Sequence, residues 1–161
     1  MNITKEELRE LLEYAEEDMR FGVALRGALS QIRHKRYLIA QGHQVKVNPS
    51  DNQGLPDFIV DGIRLEHKGA RNKGYANGDY RVELQKSRGK GEGRAYDTTF
   101  ADVIAVDVSE RTGKEDDYRY ARGGDLQAHK KYPHKWATFH RIDKSGNKTW
   151  KASLKEVLNN T

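Results

Sequence analysis

Apolar residues near the N-terminus recur at the spacing of an amphipathic α-helix. The positions that share this spacing are Leu8, Leu11, Leu12 and Ala15. Thr4 and Glu7 precede them at the spacing of a capping box, in which each side chain accepts a hydrogen bond from the backbone N–H of the other residue. We therefore predict a first helix that begins after Thr4 and runs to about Arg20.

A second helical pattern follows Gly22. Its apolar positions are Val23, Leu25, Leu29, Ile32, Tyr37, Leu38 and Ile39. Gly42 is placed to end this helix near Gln41, because glycine readily adopts the left-handed conformation found after many helices. The two predicted helices occupy about residues 4–41.

Short segments of alternating or continuous apolar residues predict β-strands after the helices. The predicted strands are residues 43–47, 57–60, 63–68, 80–88 and 100–108. Asp61-Gly62 joins two of them and is a dipeptide typical of tight hairpin turns. Residues 100–108 form the most apolar run, as expected of a central strand.

The C-terminal third of the chain is more polar. Residues 109–134 predict a long loop, and a loop of this length usually has a function. Residues 136–142 and 148–151 are strand-like and flank a turn, so they predict a hairpin. Ser153 has the position of an N-cap for a last short helix. This hairpin and helix occupy about residues 135–159.

Composition and charge limit the class of protein. With 161 residues and a mass of 18.4 kDa, the chain has the size of a single domain spanning residues 1–161. A net charge of +5 and a pI of about 9.3 favour an anionic partner, and nucleic acid fits best. The mean hydropathy of −0.95 is low for a globular monomer. Either the chain has long polar loops, or DNA or a second subunit covers part of its surface.

Several kinds of site are excluded or disfavoured by the residues present. The chain has no cysteine, which excludes disulfides and thiolate metal sites. The six histidines do not have the spacing of a zinc site, and the glycine-rich segment 89–94 lacks the pattern of a phosphate-binding loop, so we expect no nucleotide cofactor. No apolar run is long enough to span a membrane, and we expect a soluble, cytoplasmic protein.

The predicted hairpin brings together side chains that suit phosphodiester hydrolysis. Side chains alternate along a strand, so Glu66 and Lys68 share one face of the second strand. Folding the hairpin moves Asp57 towards both. Carboxylate oxygens hold Mg²⁺ against a scissile phosphate, and a lysine orients or helps to deprotonate the attacking water.

Pro56-Asp57 followed by Glu66-x-Lys68 resembles the signature of the PD-(D/E)xK nuclease superfamily. The resemblance covers about residues 23–108 and implies an α/β fold, a restriction-endonuclease-like core in which helices flank a mixed β-sheet. It implies a Mg²⁺-dependent DNA endonuclease in which Mn²⁺ may substitute. Asp57, Glu66 and the main-chain carbonyl of His67 would bind the metal, and Lys68 would activate the water.

Further residues have roles that follow from this resemblance. Gln85 would contact the water or the phosphate, although Glu83 and Gln85 are also rivals for the positions of Glu66 and Lys68. Contacts with the DNA backbone are assigned to basic residues in the polar segments that follow the motif: Arg71, Lys73, Lys86, Arg88, Lys90 and Arg94. The loop that carries Lys86, Arg88, Lys90 and Arg94 also fits an ordinary flexible linker.

Three functions remain open from the sequence. A site-specific endonuclease of the restriction or homing type comes first, and a Holliday-junction resolvase or another structure-specific phage-type nuclease comes second. A DNA-binding module of the same fold without catalysis is the contrasting class. Because cutting both strands normally requires two active sites, we also expect a homodimer.

Overall fold

The chain forms a mixed β-sheet with helices beside it, as seen in a computed structural model that describes residues 4–49, 54–86, 90–146 and 148–159. The strands are β1 (Val45–Val47), β2 (Phe58–Val60), β3 (Ile63–Gly69), β4 (Tyr80–Glu83), β5 (Val103–Asp107), β6 (Tyr118–Arg122) and β7 (Phe139–Ile142). The α-helices are α1 (Lys5–Glu17), α2 (Met19–Ala40), α3 (Ser109–Thr112) and α4 (Leu154–Leu158).

The main sheet has five strands in the order β1-β2-β3-β5-β6. The first three form an antiparallel meander, β3 and β5 are parallel, and β5 and β6 are antiparallel. Helix α2 packs against β1 and β3, and α4 packs against β6. The predicted α/β class, with a mixed sheet flanked by helices, is confirmed.

The interior strand β5 is buried on both faces, which explains its continuous apolar sequence. Ile104 and Val106 belong to a core cluster that includes Trp136. Val103 and Ala105 point to the opposite face, into a cluster with α2 and α4. The strand is shorter than the predicted segment 100–108, and it is an interior strand between β3 and β6 rather than the central one, which is β3.

The boundary between the first two helices differs from the prediction. Helix α1 ends at Glu17 rather than near Arg20, because Asp18 leaves the helical conformation and its side chain accepts a hydrogen bond from the backbone N–H of Phe21 at 2.7 Å. Gly22 therefore lies inside α2 instead of preceding it. The predicted end of α2 is confirmed, with Gly42 in the left-handed conformation.

The prediction of a long loop over residues 109–134 was wrong. This segment contains α3 and the strand β6, in which Tyr118, Tyr120 and Ala121 are buried. The sequence alternates tyrosine and arginine there, which is a strand pattern when the tyrosines face a core. The high charge of the flanking residues concealed it.

The predicted C-terminal hairpin was also wrong. β7 pairs with β4 in a separate two-stranded antiparallel sheet, while Lys151 makes an isolated bridge to Tyr120. The predicted strand 80–88 is shorter as well, because regular pairing ends at Glu83. The last helix is confirmed, with the Ser153 side chain accepting a hydrogen bond from the backbone N–H of Glu156.

The connection from β3 to β5 contains no α-helix in its described part. In its described part it contains β4 and a single 3₁₀ turn, Gly91–Arg94. Among the helices of the described residues, none is long and apolar enough to cross a membrane. The assignment of residues 1–161 to one domain stays a prediction.

Candidate active site

A tight turn sets the geometry of the β2–β3 hairpin. Asp61 and Gly62 both have positive φ, 50° and 83°, which is the conformation of the two-residue turn that the sequence predicted. Phe58 then pairs with Leu65. One step further out, the backbone N–H of Asp57 donates to Glu66 Oε2 at 3.2 Å.

Asp57 lies at the centre of a small hydrogen-bond network. Its Oδ2 accepts from the backbone N–H of His67 at 2.9 Å, and its Oδ1 accepts from Gln31 Nε2 at 2.9 Å. Burial, and after it the negative charge of Glu66, raises the pKa of Asp57 to about 6. Two carboxylates this close create an excess of negative charge that a cation would relieve.

Lys68 is held by two partners at the same end of the hairpin. Its Nζ donates to Glu66 Oε1 at 2.6 Å and to the hydroxyl oxygen of Tyr96 at 2.9 Å, and the Tyr96 hydroxyl donates to the same carboxylate oxygen at 2.8 Å. Burial lowers the pKa of Lys68, but the negative charge of Glu66 and the hydrogen bonds to Glu66 and to the Tyr96 hydroxyl together raise it more, so the net shift is upwards. Lys68 therefore keeps its proton and acts as a donor here.

The donor set fits a hard divalent cation. Mg²⁺ commonly takes one or two carboxylates and completes its shell with water. Asp57 and Glu66 supply two carboxylates, and main-chain oxygens such as the His67 carbonyl are the other protein ligands of suitable chemistry. Within the described residues, no group of three or more His, Cys, Asp or Glu side chains is placed to hold a metal ion. A metal here would therefore rely on two carboxylates with main-chain and water oxygens.

These residues line a cleft of about 740 Å³. Asp57, Glu66 and Lys68 lie on one wall, and the other predicted site residues on its lining are Gln85, Arg71, Lys86 and Arg94. Lys73 and Lys90 are exposed and do not line the cleft, and Arg88 lies outside the described residues. The structure therefore brings together most, but not all, of the residues proposed to contact DNA.

Glu83 and Gln85 line the same cleft as Asp57 but have other partners. Glu83 pairs with Arg71 at 3.3 Å, and Gln85 Nε2 is 3.4 Å from the hydroxyl oxygen of Thr138. Glu66 is the carboxylate in contact with Asp57. The geometry thus favours Glu66 and Lys68 over the rival pair, while the catalytic role of each residue stays a prediction.

The His67 ring points away from the cleft, as the strand alternation predicted. It lies between Ser30 and His34, with its Nε2 2.8 Å from Ser30 Oγ and its Nδ1 3.0 Å from His34 Nδ1. Ser30 donates its only proton to Asp107, so it must accept from His67 Nε2–H. Neutral histidine rings can make all of these hydrogen bonds, and burial lowers the pKa of His67 to about 3. These hydrogen bonds hold α2 against β3 and β5 behind Asp57.

Two residues in contact with the site were missed by the sequence analysis. Gln31 comes from the middle of α2, and Tyr96 comes from the connection before β5. Neither is near the motif in sequence. A glutamine on a helix and a tyrosine in a polar segment have no local pattern that marks them, so only the fold reveals them.

Comparison with known proteins supports the fold. No family model matches this chain, and a comparison with curated protein sequences gives no match. Among solved structures, the α/β fold is similar to that of one bacterial homing endonuclease. The particular structure is the bacterial homing endonuclease I-Ssp6803I, with a TM-score of 0.54 and 14% sequence identity over 78% of this chain and 81% of that chain. At this identity the likeness shows the fold alone.

Proposed function

We propose that this protein is a metal-dependent DNA endonuclease. The observation that carries the proposal is the buried pair Asp57 and Glu66, with Lys68 beside it, on the wall of a cleft that Arg71, Lys86 and Arg94 also line. Adjacent carboxylates and a lysine are the groups that metal-assisted phosphodiester hydrolysis requires. The fold shared with a homing endonuclease supports the same class of reaction.

Each residue has a defined part in this proposal. Asp57 and Glu66 hold Mg²⁺ or Mn²⁺, with the His67 carbonyl as a further ligand; the bound ion would polarise the phosphate and lower the pKa of a bound water. Lys68 donates hydrogen bonds to the water or to the phosphate oxygens and stabilises the charge that develops on them. Gln31 orients Asp57, and Tyr96 orients Lys68. Gln85 contacts the phosphate or the water.

Among nuclease types, we favour a site-specific endonuclease of the homing or restriction kind. The named relative in fold is a homing endonuclease, and the extended basic cleft suits duplex DNA. Holliday-junction resolution is the second candidate, and a non-catalytic DNA-binding module is the contrasting one. The test below separates all three through the DNA substrate and the variants used.

The first experiment is cleavage of supercoiled plasmid and of branched DNA with Mg²⁺ or Mn²⁺, with EDTA as control. We expect discrete products with plasmid that are lost with EDTA and in Asp57→Ala, and a decrease of about 100-fold or more in Lys68→Ala. Glu66→Gln and Glu83→Gln form a matched pair, and only the first should abolish cleavage. Binding without cleavage of either DNA would favour the non-catalytic module.

We also propose that the active form is a homodimer built on α1 and α2. Ala15 contacts Gly22 where the helices cross, so Leu8 and Leu12 lie beside the N-terminal half of α2. About half of the surface of each leucine is exposed, as it is for Ile32 on α2. Helix α1 has six glutamates against two basic residues, whereas α2 has five basic residues and no acidic one. Two antiparallel helix pairs would therefore match apolar faces and opposite charges.

A further inference from the structure

The β4–β7 ribbon has one buried face and one outer face. Residues directly opposite each other share a face, and Val82 with His140 lies on the buried side. The outer side carries Arg81 opposite Arg141. It also carries Phe139, which is 45% exposed.

This outer face continues into the cleft. Arg81, Glu83 and Gln85 alternate along one segment and therefore face the same side, and the last two line the same cleft as Asp57. At about 3.3 Å per residue, Arg81 lies roughly 13 Å from Gln85. DNA bound across the cleft would therefore extend over the ribbon.

The contacts of Arg81 in the described structure do little to stabilise the ribbon. Like charges directly opposite each other on two strands destabilise a sheet. Arg141 is compensated by an ion pair with the buried Asp79. For Arg81 no ion pair is found among the described residues, and its Nε is buried without a hydrogen-bond partner in that part of the chain. Its guanidinium instead lies 4.7 Å from the ring centre of Phe139, which holds it in a fixed direction.

We propose that the β4–β7 ribbon enters the major groove of DNA and that Arg81 contacts the edge of a guanine base. The inference rests on the proposed nuclease function and adds the element that reads the sequence. The major groove admits a two-stranded β-ribbon, and arginine donates a bidentate pair of hydrogen bonds to guanine O6 and N7. With a rise of about 3.4 Å per base, the roughly 13 Å between Arg81 and Gln85 spans about four base pairs, so this guanine lies at one fixed position several base pairs to one side of the cleaved bond.

The experiment profiles base preference with a random-sequence duplex DNA library. Cleavage sites and bound sequences are both read out for the wild type, Arg81→Ala, Arg81→Lys and the control Lys114→Ala, which removes an exposed cation outside the cleft and outside α1 and α2. We expect a preference for guanine at one fixed position relative to the cleaved bond, both in the wild type and in the control. Arg81→Ala should lose it and cut the preferred sequence about 5- to 150-fold less efficiently.

Arg81→Lys distinguishes a base contact from a phosphate contact. Lysine keeps the positive charge but not the planar fork, so it should retain overall DNA binding while losing the guanine preference. A phosphate contact would instead be rescued by lysine, and Arg81→Ala would weaken all sequences equally with a salt dependence reduced by about one charge. That result would overturn the proposal. Melting temperatures of all variants check that each one folds.

The bound-sequence readout keeps this inference separate from the proposed function. If the wild type cuts no DNA but selects a guanine that Arg81→Ala ignores, the nuclease function fails and the ribbon inference stands. If the wild type cuts DNA with a preference that Arg81→Ala keeps unchanged, the ribbon inference fails and the nuclease function stands. A wild type that selects no base at all also overturns the ribbon inference.

Discussion

Among the residues of the proposed site, Asp57 is the one whose burial most opposes folding. It is buried beside Glu66, and both effects disfavour its charged form, which raises its pKa to about 6. Without a metal, neutral pH forces two negative charges into one pocket. The metal-free protein is therefore less stable than its contacts alone would make it.

We predict that Asp57→Asn stabilises the protein in EDTA at about pH 8. Asparagine is similar in shape and removes the charge, so the free energy of unfolding should rise by about 1–3 kcal/mol, which is roughly 2–10 °C in melting temperature. Thermal unfolding in EDTA measures this. Added Mg²⁺ should then stabilise the wild type and leave the variant unchanged.

Asp102 provides the matched control for that change. It accepts hydrogen bonds from the Arg64 side chain and backbone, and these lower its pKa. Asp102→Asn should therefore destabilise the protein under the same conditions. Equal behaviour of the two variants would show that Asp57 does not carry the predicted charge repulsion.

Buried histidines predict a loss of stability in mild acid. Burial lowers the pKa of His34, His67 and His140, so the folded protein binds protons on these rings only at a lower pH than the unfolded chain, which binds them below about pH 6.5. Their contribution is fully present above pH 6.5 and is lost as the pH falls towards the folded values. Each histidine adds a slope of up to about 1.4 kcal/mol per pH unit.

Urea unfolding in EDTA between about pH 7 and pH 5 tests this prediction. Asp57 acts in the opposite direction, because its folded pKa of about 6 is raised and it binds a proton before the unfolded chain does. The slope should therefore be steeper in Asp57→Asn than in the wild type. A free energy of unfolding that is independent of pH over this range would contradict the assignment of neutral buried rings.

At the scale of elements, the predictable parts are those whose signals are local. The β2–β3 hairpin follows from Asp61-Gly62, and the convergence of Asp57 with Glu66 follows from its register. The partner of β7 was missed because β4 lies some sixty residues earlier, and strand pairing at that distance leaves no periodic pattern. Gln31 and Tyr96 were missed for the same reason, since tertiary packing alone brings them to the site.

The crossing of α1 and α2 gives a sharp test at this scale. A Cβ atom at Gly22 would collide with the Ala15 carbonyl oxygen, whereas one at Gly27 would meet nothing within 4 Å. Gly22→Ala should separate the helices and lower protection of α1 from hydrogen exchange. Gly27→Ala should keep the crossing and raise the free energy of unfolding by about 0.5–1 kcal/mol, because alanine favours a helix over glycine. If both substitutions have the same effect, the helices do not cross as described.

At the scale of the whole molecule, the exposed apolar faces of α1 and α2 predict the assembly. Leu12→Glu places a charge within the proposed interface on a helix that is already acidic, and it should convert a dimer into a monomer. Light scattering after size-exclusion chromatography measures the mass. Val47→Glu is the control, because Val47 is a similarly exposed apolar residue on β1. A monomeric wild type at high concentration would contradict the dimer.

The position of β7 far along the sequence determines the order in which the hairpin and the ribbon can form during translation. A ribosome adds β2 and β3 early, so the carboxylate pair has its own hairpin once residues 57–66 have emerged. The β4–β7 ribbon cannot form until residues 139–142 have been synthesised, because β4 pairs with β7. A growing chain thus possesses its proposed catalytic residues well before the surface proposed to select the DNA sequence, and synthesis of β7 is the step that joins the two.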